Sequence, residues 1–217
     1  MELLGNLLDL FLHLDEHLNT IVQQYGILTY GILTLVIFLE TGIVATPFFP
    51  GDSLLFAAGA IASLGGMNVV ILMIALSSAA IFGDTANYWI GRKAGPLVFS
   101  KEKSLLFNKD YLRRAYDFYE THGAKTVVIA RFIPIIRTFA PFVAGVAHMN
   151  YFRFLSYNIA GGILWVAAFS LAGFFFGNIP IIKDNFSLVI IGIIVVSLVP
   201  TAIEFIKHRR KPAIINQ

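Results

Sequence analysis

The sequence predicts an all-α polytopic membrane protein, built as an inverted repeat with two opposed re-entrant helical hairpins plus about four spanning helices. Three observations lead to this prediction. The 217 residues are 57% hydrophobic and only 13% charged, whereas soluble domains are about a quarter charged. The apolar runs are long and do not alternate with polar residues, which argues against an outer-membrane barrel. Two of the runs are interrupted by prolines and charges, as broken membrane helices are.

The composition also limits what the protein can do. A chain with so little polar surface is neither a soluble enzyme nor a nucleic-acid-binding module, and a net charge of +3 is too small to indicate DNA binding. Because there is no cysteine, a disulfide framework, a thiolate nucleophile and a Cys-zinc site are excluded. We therefore expect no enzyme activity, no cofactor, no metal ion and no nucleic-acid partner.

The basic residues are unevenly distributed along the chain. Residues 1–91 contain no Lys or Arg, whereas eight basic residues lie in the segment 92–125 and four more in the tail at 207–217. Basic loops of membrane proteins stay in the cytoplasm. We therefore expect a single multi-pass membrane domain over residues 1–217, with the 92–125 loop and the C-terminal tail in the cytoplasm.

The first 66 residues contain two predicted elements. Residues 1–20 carry leucines at helical spacing and predict an amphipathic helix, which either lies at the membrane interface or packs on the bundle. Residues 26–66 are apolar around a central group of helix breakers, which favours a span followed by a re-entrant hairpin over 42–66. The alternative is two plain spans joined by a tight turn. The breakers are Pro47, Pro50 and Gly51.

The middle of the chain is predicted to cross the membrane once and then form the cytoplasmic loop. Residues 69–91 read as a spanning helix that glycines near Arg92 can end. The 92–125 loop contains an amphipathic surface helix over 108–122, with Gly123 as its stop.

The last third repeats the interrupted pattern. Residues 126–149 form the second re-entrant hairpin, broken by Pro134 and Pro141, and residues 154–177 and 186–206 form two spans. With both basic regions in the cytoplasm, this hairpin enters the membrane from the inside and the first one from the outside.

A short internal likeness supports this arrangement. Residues 56–60 resemble residues 142–146, at an offset of 86 residues, and each follows a proline-interrupted stretch that carries charge. Inverted repeats with discontinuous helices are typical of secondary transporters, whose binding sites lie near the membrane midplane at the repeat interface.

The charges in these two segments are complementary. Glu40 and Asp52 lie in the first repeat, and Arg131 and Arg137 lie in the second. Each costs at least about 2.5–3.5 kcal/mol at the bilayer centre unless it meets a partner or water. We therefore predict that the four face one another in one polar cavity. The alternative is a purely structural role, either as buried ion pairs that hold the two hairpins together or as arginines that reach the cytoplasmic headgroups. Asp84 is either a further relay acid or a polar contact between helices.

These residue types suggest an anionic ligand and a moving proton. Arginine stays charged and grips phosphate in bidentate geometry, so Arg131 and Arg137 are the candidate phosphate ligands. A carboxyl that can exchange between its ionised and neutral forms suits proton coupling, so Glu40, Asp52 and Asp84 are the candidate proton-coupling residues.

At these residues the chain resembles the DedA family of bacterial inner-membrane proteins, within the wider superfamily that carries the SNARE-associated or VTT domain. The resemblance implies two opposed re-entrant hairpins and a role in flipping lipid phosphates, notably undecaprenyl phosphate, for envelope homeostasis that depends on the proton-motive force. It also implies membrane-embedded acids at Glu40 and Asp52 and essential arginines at Arg131 and Arg137. The resemblance rests on Glu40 followed by PFFPGD at 47–52, GDTANYWIGRKAG at 83–95, RFIPIIRTFAPFVAG at 131–145, and Asn158 with Gly161 and Trp165.

The sequence thus favours a proton-motive-force-dependent transporter of a lipid phosphate, with protons, a polyprenyl phosphate and the bilayer as its partners and a homo-oligomer as a further possibility. One alternative is a proton-coupled antiporter of small cations or drugs. Another is a non-transporting scaffold for envelope homeostasis. A lipid phosphatase is disfavoured, because it needs a nucleophile beside a base and His148 stands alone near the arginines.

Overall fold

The computed structural model describes residues 24–43, 51–100, 116–117, 119–177, 179–180, 189 and 192, with side chains omitted at 94–100 and 134–135. All regular structure among these residues is helical. The predicted N-terminal helix at 1–20, nearly all of the segment 186–206 and the tail at 207–217 lie outside the described residues, as does most of the predicted helix at 108–122. Residues 119–122 are helical, and the chain leaves that helix at Gly123 with a φ of +58°.

Two short antiparallel helices open the described part of the chain. Helix α1 spans Leu28–Gly42 and helix α2 spans Gly51–Ser63. The start of α1 lies beside the turn that follows α2, where the Tyr30 hydroxyl accepts a hydrogen bond of 2.6 Å from the Asn68 amide. At about 20 Å each, both helices are shorter than the roughly 30 Å hydrocarbon core of a bilayer.

The predicted span before a hairpin at 42–66 stays a prediction. In the structure α1 and α2 run as two antiparallel arms. Periodicity could not reveal this, because a half-length helix and the end of a full span are equally apolar.

Helix α3 is the first helix long enough to cross a membrane. It begins at Val69, where the Asn68 side chain accepts hydrogen bonds from the amides of Val70 and Ile71 at 2.9 and 3.2 Å, and continues to Ser100. Within the part Val69–Lys93, an 18-residue window has a mean hydropathy of 2.0. The helix therefore runs past the predicted end at residue 91, because glycine in a membrane helix is tolerated where a neighbouring backbone packs against it.

The second half repeats this sequence of elements. Its first arm consists of a 3₁₀ turn at Gly123–Lys125, the short helix α4 at Thr126–Ile129 and a second 3₁₀ turn at Ala130–Phe132. After a break at Ile133, α5 spans Pro134–Val146.

Helix α6, at Tyr151–Phe176, closes the described fold. Asn150 caps its start by accepting from the amides of Phe152 and Arg153 at 3.1 and 3.2 Å, as Asn68 does for α3. Within the described residues, α3 and α6 are the two helices that are both long and apolar enough to span a membrane. The predicted count of about four spans and the inverted repeat stay predictions.

The helix α2 packs against α6 with almost no space between the backbones. A Cβ added to Gly59 of α2 would collide with the Ser170 carbonyl of α6, and a Cβ added to Gly173 of α6 would collide with the Phe56 carbonyl of α2. Eleven of the 13 residues of α2 are buried, so the half-length helix is enclosed in protein.

The same contact is made by the corresponding helices of the other half. A Cβ on Gly145 of α5 would collide with the Tyr88 carbonyl of α3, and a Cβ on Gly91 of α3 would collide with the Phe142 carbonyl of α5. Phe142 and Gly145 lie 86 residues after Phe56 and Gly59, which is the offset of the sequence likeness.

The turns before α3 and α6 lie at opposite ends of α3. Asn68 stands at its start, whereas the Tyr88 hydroxyl, about 30 Å further along the helix, donates a 2.5 Å hydrogen bond to the Met149 carbonyl in the turn before α6. The two half-length helices α2 and α5 therefore return to opposite ends of the long helix.

Candidate functional site

A cluster of buried charges is built around Arg137 of α5. Its Nη1 donates to Asp52 Oδ1 at 2.7 Å, and its Nη2 donates to Glu40 Oε1. Glu40 lies near the end of α1 and Asp52 in the first turn of α2. One guanidinium therefore joins both arms of the first half to the second half of the chain.

The start of α2 holds the Glu40 carboxylate in place. The Gly51 amide donates to Glu40 Oε1 at 3.2 Å. Amides in the first turn of a helix have no partner within the helix, so they can donate to such a carboxylate. A Cβ at residue 51 would collide with this carboxylate, so a larger residue there would displace the end of the Glu40 side chain. The other oxygen, Glu40 Oε2, is buried and has no hydrogen-bond partner in the described part of the chain.

Trp165 of α6 forms one wall of the cluster. Its indole Nε1 donates to Asp52 Oδ1 at 2.8 Å, the same oxygen that receives the Arg137 bond. The Arg137 Cζ atom also lies 5.4 Å from the centroid of the Trp165 ring, within the range of a cation–π contact. Trp165 thus contacts both the carboxylate and the guanidinium of one ion pair.

A second ion pair lies beside the first. Arg131 Nη2 donates at 2.5 Å both to Asp84 Oδ2 of α3 and to Asn158 Oδ1 of α6. The Asn158 amide group in turn donates to the Ile81 carbonyl at 3.0 Å. Arg131 is 4% exposed and Asp84 also 4%, so this pair is enclosed between the two long helices and the break before α5.

Asn87 of α3 ties the two broken segments together. Its Nδ2 donates to the Thr138 carbonyl of α5 at 2.8 Å and to the Thr41 carbonyl of α1 at 3.3 Å. Both carbonyls adjoin charged residues of the cluster, Arg137 and Glu40. A single amide therefore fixes the distance between the ends of the two segments.

Both ion pairs face one small cavity. Its volume of about 10 Å³ is enough for about one water molecule. With three acids and two arginines, the cluster carries a net charge of −1 when all five are ionised. The cavity is lined by Glu40, Thr41, Asp84, Arg131, Arg137, Thr138 and Trp165.

The five charged residues predicted from the sequence come together here, although their pairing differs from the prediction in one respect. Arg137 contacts both Glu40 and Asp52, whereas Arg131 pairs with Asp84. Asp84 lies inside the predicted span, so the sequence places it in the membrane with the other charges. No pattern in the sequence predicts that it pairs with Arg131, which lies 47 residues further along the chain. Their roles in binding phosphate and protons stay predictions.

The residues predicted to break the hairpins occupy different places in the structure. Pro47 and Pro50 lie outside the described residues, and Gly51 begins α2. Pro134 begins α5 directly after the extended Ile133, since a residue before proline avoids the helical region. Pro141 does not break the chain, because α5 runs through it and is buried on all sides there.

Comparison with known proteins identifies the family. The VTT domain model matches residues 49–175. Protein DedA of Escherichia coli strain K12 is 52% identical over 98% of both chains. The chain belongs to the DedA family.

Two other relatives share less sequence identity with this chain. Inner membrane protein YqjA of Escherichia coli strain K12 is 32% identical over 83% of this chain and 82% of its own. An uncharacterized membrane protein of Mycobacterium tuberculosis strain H37Rv is 42% identical over 80% and 77%. No solved structure matches significantly. With its relatives named as membrane proteins, this DedA-family chain is a bacterial membrane protein.

Sequence reasoning from charges and prolines misses three side chains that hydrogen-bond within or beside this cluster of the DedA-family protein. Trp165, Asn158 and Asn87 all lie in the motifs of the family resemblance, but the sequence analysis does not predict them as site residues. Each is a large polar or hydrogen-bonding side chain in the middle of a long apolar helix, which is an expensive place for it. That mismatch was the available signal, and it would have pointed to all three.

Proposed function

We propose that this protein is a proton-motive-force-dependent transporter that flips a lipid phosphate, such as undecaprenyl phosphate, across the bacterial inner membrane and so supports envelope homeostasis. The observation that carries the proposal is the bridge from Arg137 to both Glu40 and Asp52. The bridge supports the proposal because arginine is a residue type that binds phosphate, and both of its carboxylate partners belong to the other half of the molecule.

The proposed ligand and the carboxyls compete for the same donors. Arginine N–H groups bind phosphate oxygens as they bind carboxylate oxygens. Because the cavity holds about one water molecule, a phosphate group enters only when a carboxylate leaves its arginine. Protonation of Glu40 or Asp52 weakens that pair and frees Arg137 for the headgroup. Protonation of Asp84 does the same for Arg131.

The charge balance supports coupling to protons. One proton bound among Glu40, Asp52 and Asp84 would bring the five-residue cluster to neutrality, which removes the cost of a net charge in a buried site. The same net charge of −1 also suits a small cation, so the antiporter remains the second candidate. No covalent step and no cofactor enter either scheme.

The two halves are proposed to act as an inverted repeat. The reciprocal glycine contacts and the opposite positions of the turns before α3 and α6 support this arrangement. In such transporters one repeat rocks against the other around a fixed site. Here the ion pairs between the halves would have to break and re-form in each cycle. The cytoplasmic position of the C-terminal tail belongs to the same proposal.

The test is transport in proteoliposomes. Labelled undecaprenyl phosphate is placed in one leaflet, a pH gradient is imposed, and the label that reaches the other leaflet is measured. The wild type is compared with Arg137→Gln and Asp52→Asn, and with Arg153→Gln as the matched control, since Arg153 lies exposed at the start of α6. Gradient-dependent movement that is lost in the first two variants and kept in the control is expected.

Each other outcome identifies another function. Movement that needs no gradient would make the protein a scramblase. Absence of lipid movement together with cation-dependent proton flux would favour the antiporter. Absence of both, with full rescue of an envelope defect by the neutral variants, would favour the scaffold.

A further inference from the structure

We propose that the groove between α3 and α6 holds the hydrocarbon tail of the lipid whose phosphate binds at Arg131. The inference rests on the proposed function and adds to it the place where the tail lies. The groove has a volume of about 380 Å³, within the usual range for small-molecule sites. Its walls are apolar, and they include Val70 and Ile74 on α3 and Ile163 and Leu171 on α6.

The groove extends along about a third of α3. Its lining on that helix runs from Val70, in the first turn, to Ile81, a length of roughly 16 Å. This is about half the thickness of the hydrocarbon core. A tail that lies in the groove therefore stays in the leaflet where α3 begins, while its head reaches the level of Ile81.

The inner end of the groove adjoins the Arg131 ion pair. Ile81 lines the groove, and its carbonyl accepts from Asn158, which binds Arg131. A Cβ on Gly162 would lie 3.0 Å from Ile81 Cγ1 and 3.5 Å from Arg131 Nη2. A methyl group at position 162 would therefore touch both the isoleucine that ends the groove and the guanidinium.

Arg131 retains an unused donor for a ligand. Its Nε is buried and has no hydrogen-bond partner among the residues that the structure describes. A Cβ on Gly161 would lie 3.2 Å from this nitrogen, so at positions 161 and 162 helix α6 presents no side chain to the arginine. An apolar groove whose last residue, Ile81, lies beside a buried cation with a spare donor matches a ligand with an apolar tail and an anionic head.

A second groove provides the internal comparison. It lies between α1 and α3, has a volume of about 480 Å³, and is lined by Leu35 and Phe82 among others. Its glycine, Gly31, has nothing within 4 Å of where a Cβ would stand, whereas Gly162 faces Arg131. If volume alone decided where a tail binds, this groove would be preferred.

The experiment maps where the tail binds. The reconstituted protein is irradiated with geranylgeranyl phosphate that carries a diazirine in its tail, and with the matching alcohol, and labelled peptides are identified by mass spectrometry. The phosphate is expected to label Ile74, Ile163 and Leu171 more strongly than Leu35 and Phe82, and the alcohol is expected to show no such preference. Equal labelling of both grooves, or equal labelling by the alcohol, would overturn the proposal.

Two pairs of variants test the link to Arg131. Gly162→Ala fills the gap and is expected to lower phosphate-dependent labelling about tenfold, the loss of one charge-assisted hydrogen bond, while Gly31→Ala leaves it unchanged. Ile163→Trp is expected to fill the α3–α6 groove and lower the labelling, whereas its control, Leu35→Trp, fills the other groove. Both positions are about half exposed, so this pair does not depend on how well Gly162→Ala folds. No difference within either pair would contradict the proposal.

The outcomes separate this inference from the proposed function. Labelling of the α3–α6 groove without transport would uphold the tail site and reject the transporter. Transport with labelling elsewhere would reject the tail site alone. A cross-link from the Ser77→Cys variant to the segment 186–206 would assign the groove to the chain itself and overturn the inference.

Discussion

Arg137 divides its two terminal nitrogens between carboxylates that lie on different helices. A lysine has one point charge and cannot reproduce this fork, so the geometry belongs to arginine. Trp165 covers the same guanidinium with its ring and holds Asp52 with its indole nitrogen. At the scale of single residues, the site is therefore a set of shared contacts, and removing one partner leaves others buried without a counter-charge.

The first prediction concerns this dependence. Arg137→Gln is expected to destabilise the protein by about 3–5 kcal/mol, because it leaves two buried carboxylates unpaired. Thermal unfolding in a fixed detergent and lipid mixture measures the change, with Arg153→Gln as the control. Adding Glu40→Gln and Asp52→Asn to Arg137→Gln is expected to recover much of the loss. Equal unfolding temperatures for the two arginine variants would show that the bridge carries no stability.

The second prediction concerns the glycine under Glu40. Gly51→Ala is expected to destabilise by about 1–3 kcal/mol, since its Cβ collides with the Glu40 carboxylate and must displace it. Gly31→Ala, in α1 with open space around it, is expected to be neutral or to stabilise by up to about 1 kcal/mol. The same unfolding measurement compares them. A neutral Gly51→Ala would mean that Glu40 does not rest on the start of α2.

At the scale of helices, the half-length segments α2 and α5 are stable because long helices enclose them. Each meets a long helix through a pair of glycines and carbonyls, and each carries a charged residue of the cluster near its start, Asp52 in α2 and Arg137 in α5. Close backbone approach of this kind drives helix association in lipid, where the hydrophobic effect between helices is absent.

The third prediction tests these contacts. Gly59→Ala and Gly173→Ala are expected to destabilise separately, because each Cβ meets the backbone of the facing helix. Combined, they are expected to depart from additivity by at least about 0.5 kcal/mol, since they widen the same contact. Gly59→Ala combined with Gly145→Ala lies on two different contacts and is expected to be additive. Thermal unfolding of the single and double variants decides; additivity in both combinations would contradict the close packing of α2 on α6.

The helices and the site were predictable from the sequence to different degrees. Hydropathy located α3 and α6, and the rarity of charge in apolar runs located the five site residues. Hydropathy could not place α1 antiparallel to α2, because that depends on the Tyr30–Asn68 contact. Nor could it pair Arg131 with Asp84, because ion pairing follows from how helices pack and leaves no periodic trace in the sequence.

At the scale of the whole molecule, the chain turns before α3 at one end of that helix and before α6 at the other. The Tyr88–Met149 hydrogen bond fixes the second turn about 30 Å from the first. This is close to the thickness of the hydrocarbon core, so the two turns are placed to reach opposite membrane surfaces.

The fourth prediction follows from that separation. Because the natural chain has no cysteine, Leu64→Cys and His148→Cys each introduce a unique thiol, at exposed positions in the two turns. A membrane-impermeant maleimide added to intact spheroplasts is expected to label Leu64→Cys and to reach His148→Cys only after lysis. Labelling of both from the same side would reject the inverted arrangement and, with it, the alternating-access scheme.

The 97 residues that separate Glu40 from Arg137 also impose an order on biosynthesis. The ribosome completes α1 and α2 well before it makes α5, so the first hairpin leaves the translocon without its counter-charge. Until Arg137 emerges, the carboxyls have to remain protonated, hydrated or sheltered by the insertion machinery. The nascent chain therefore has a defined point, reached when α5 is synthesised, before which its first half cannot settle into the lipid.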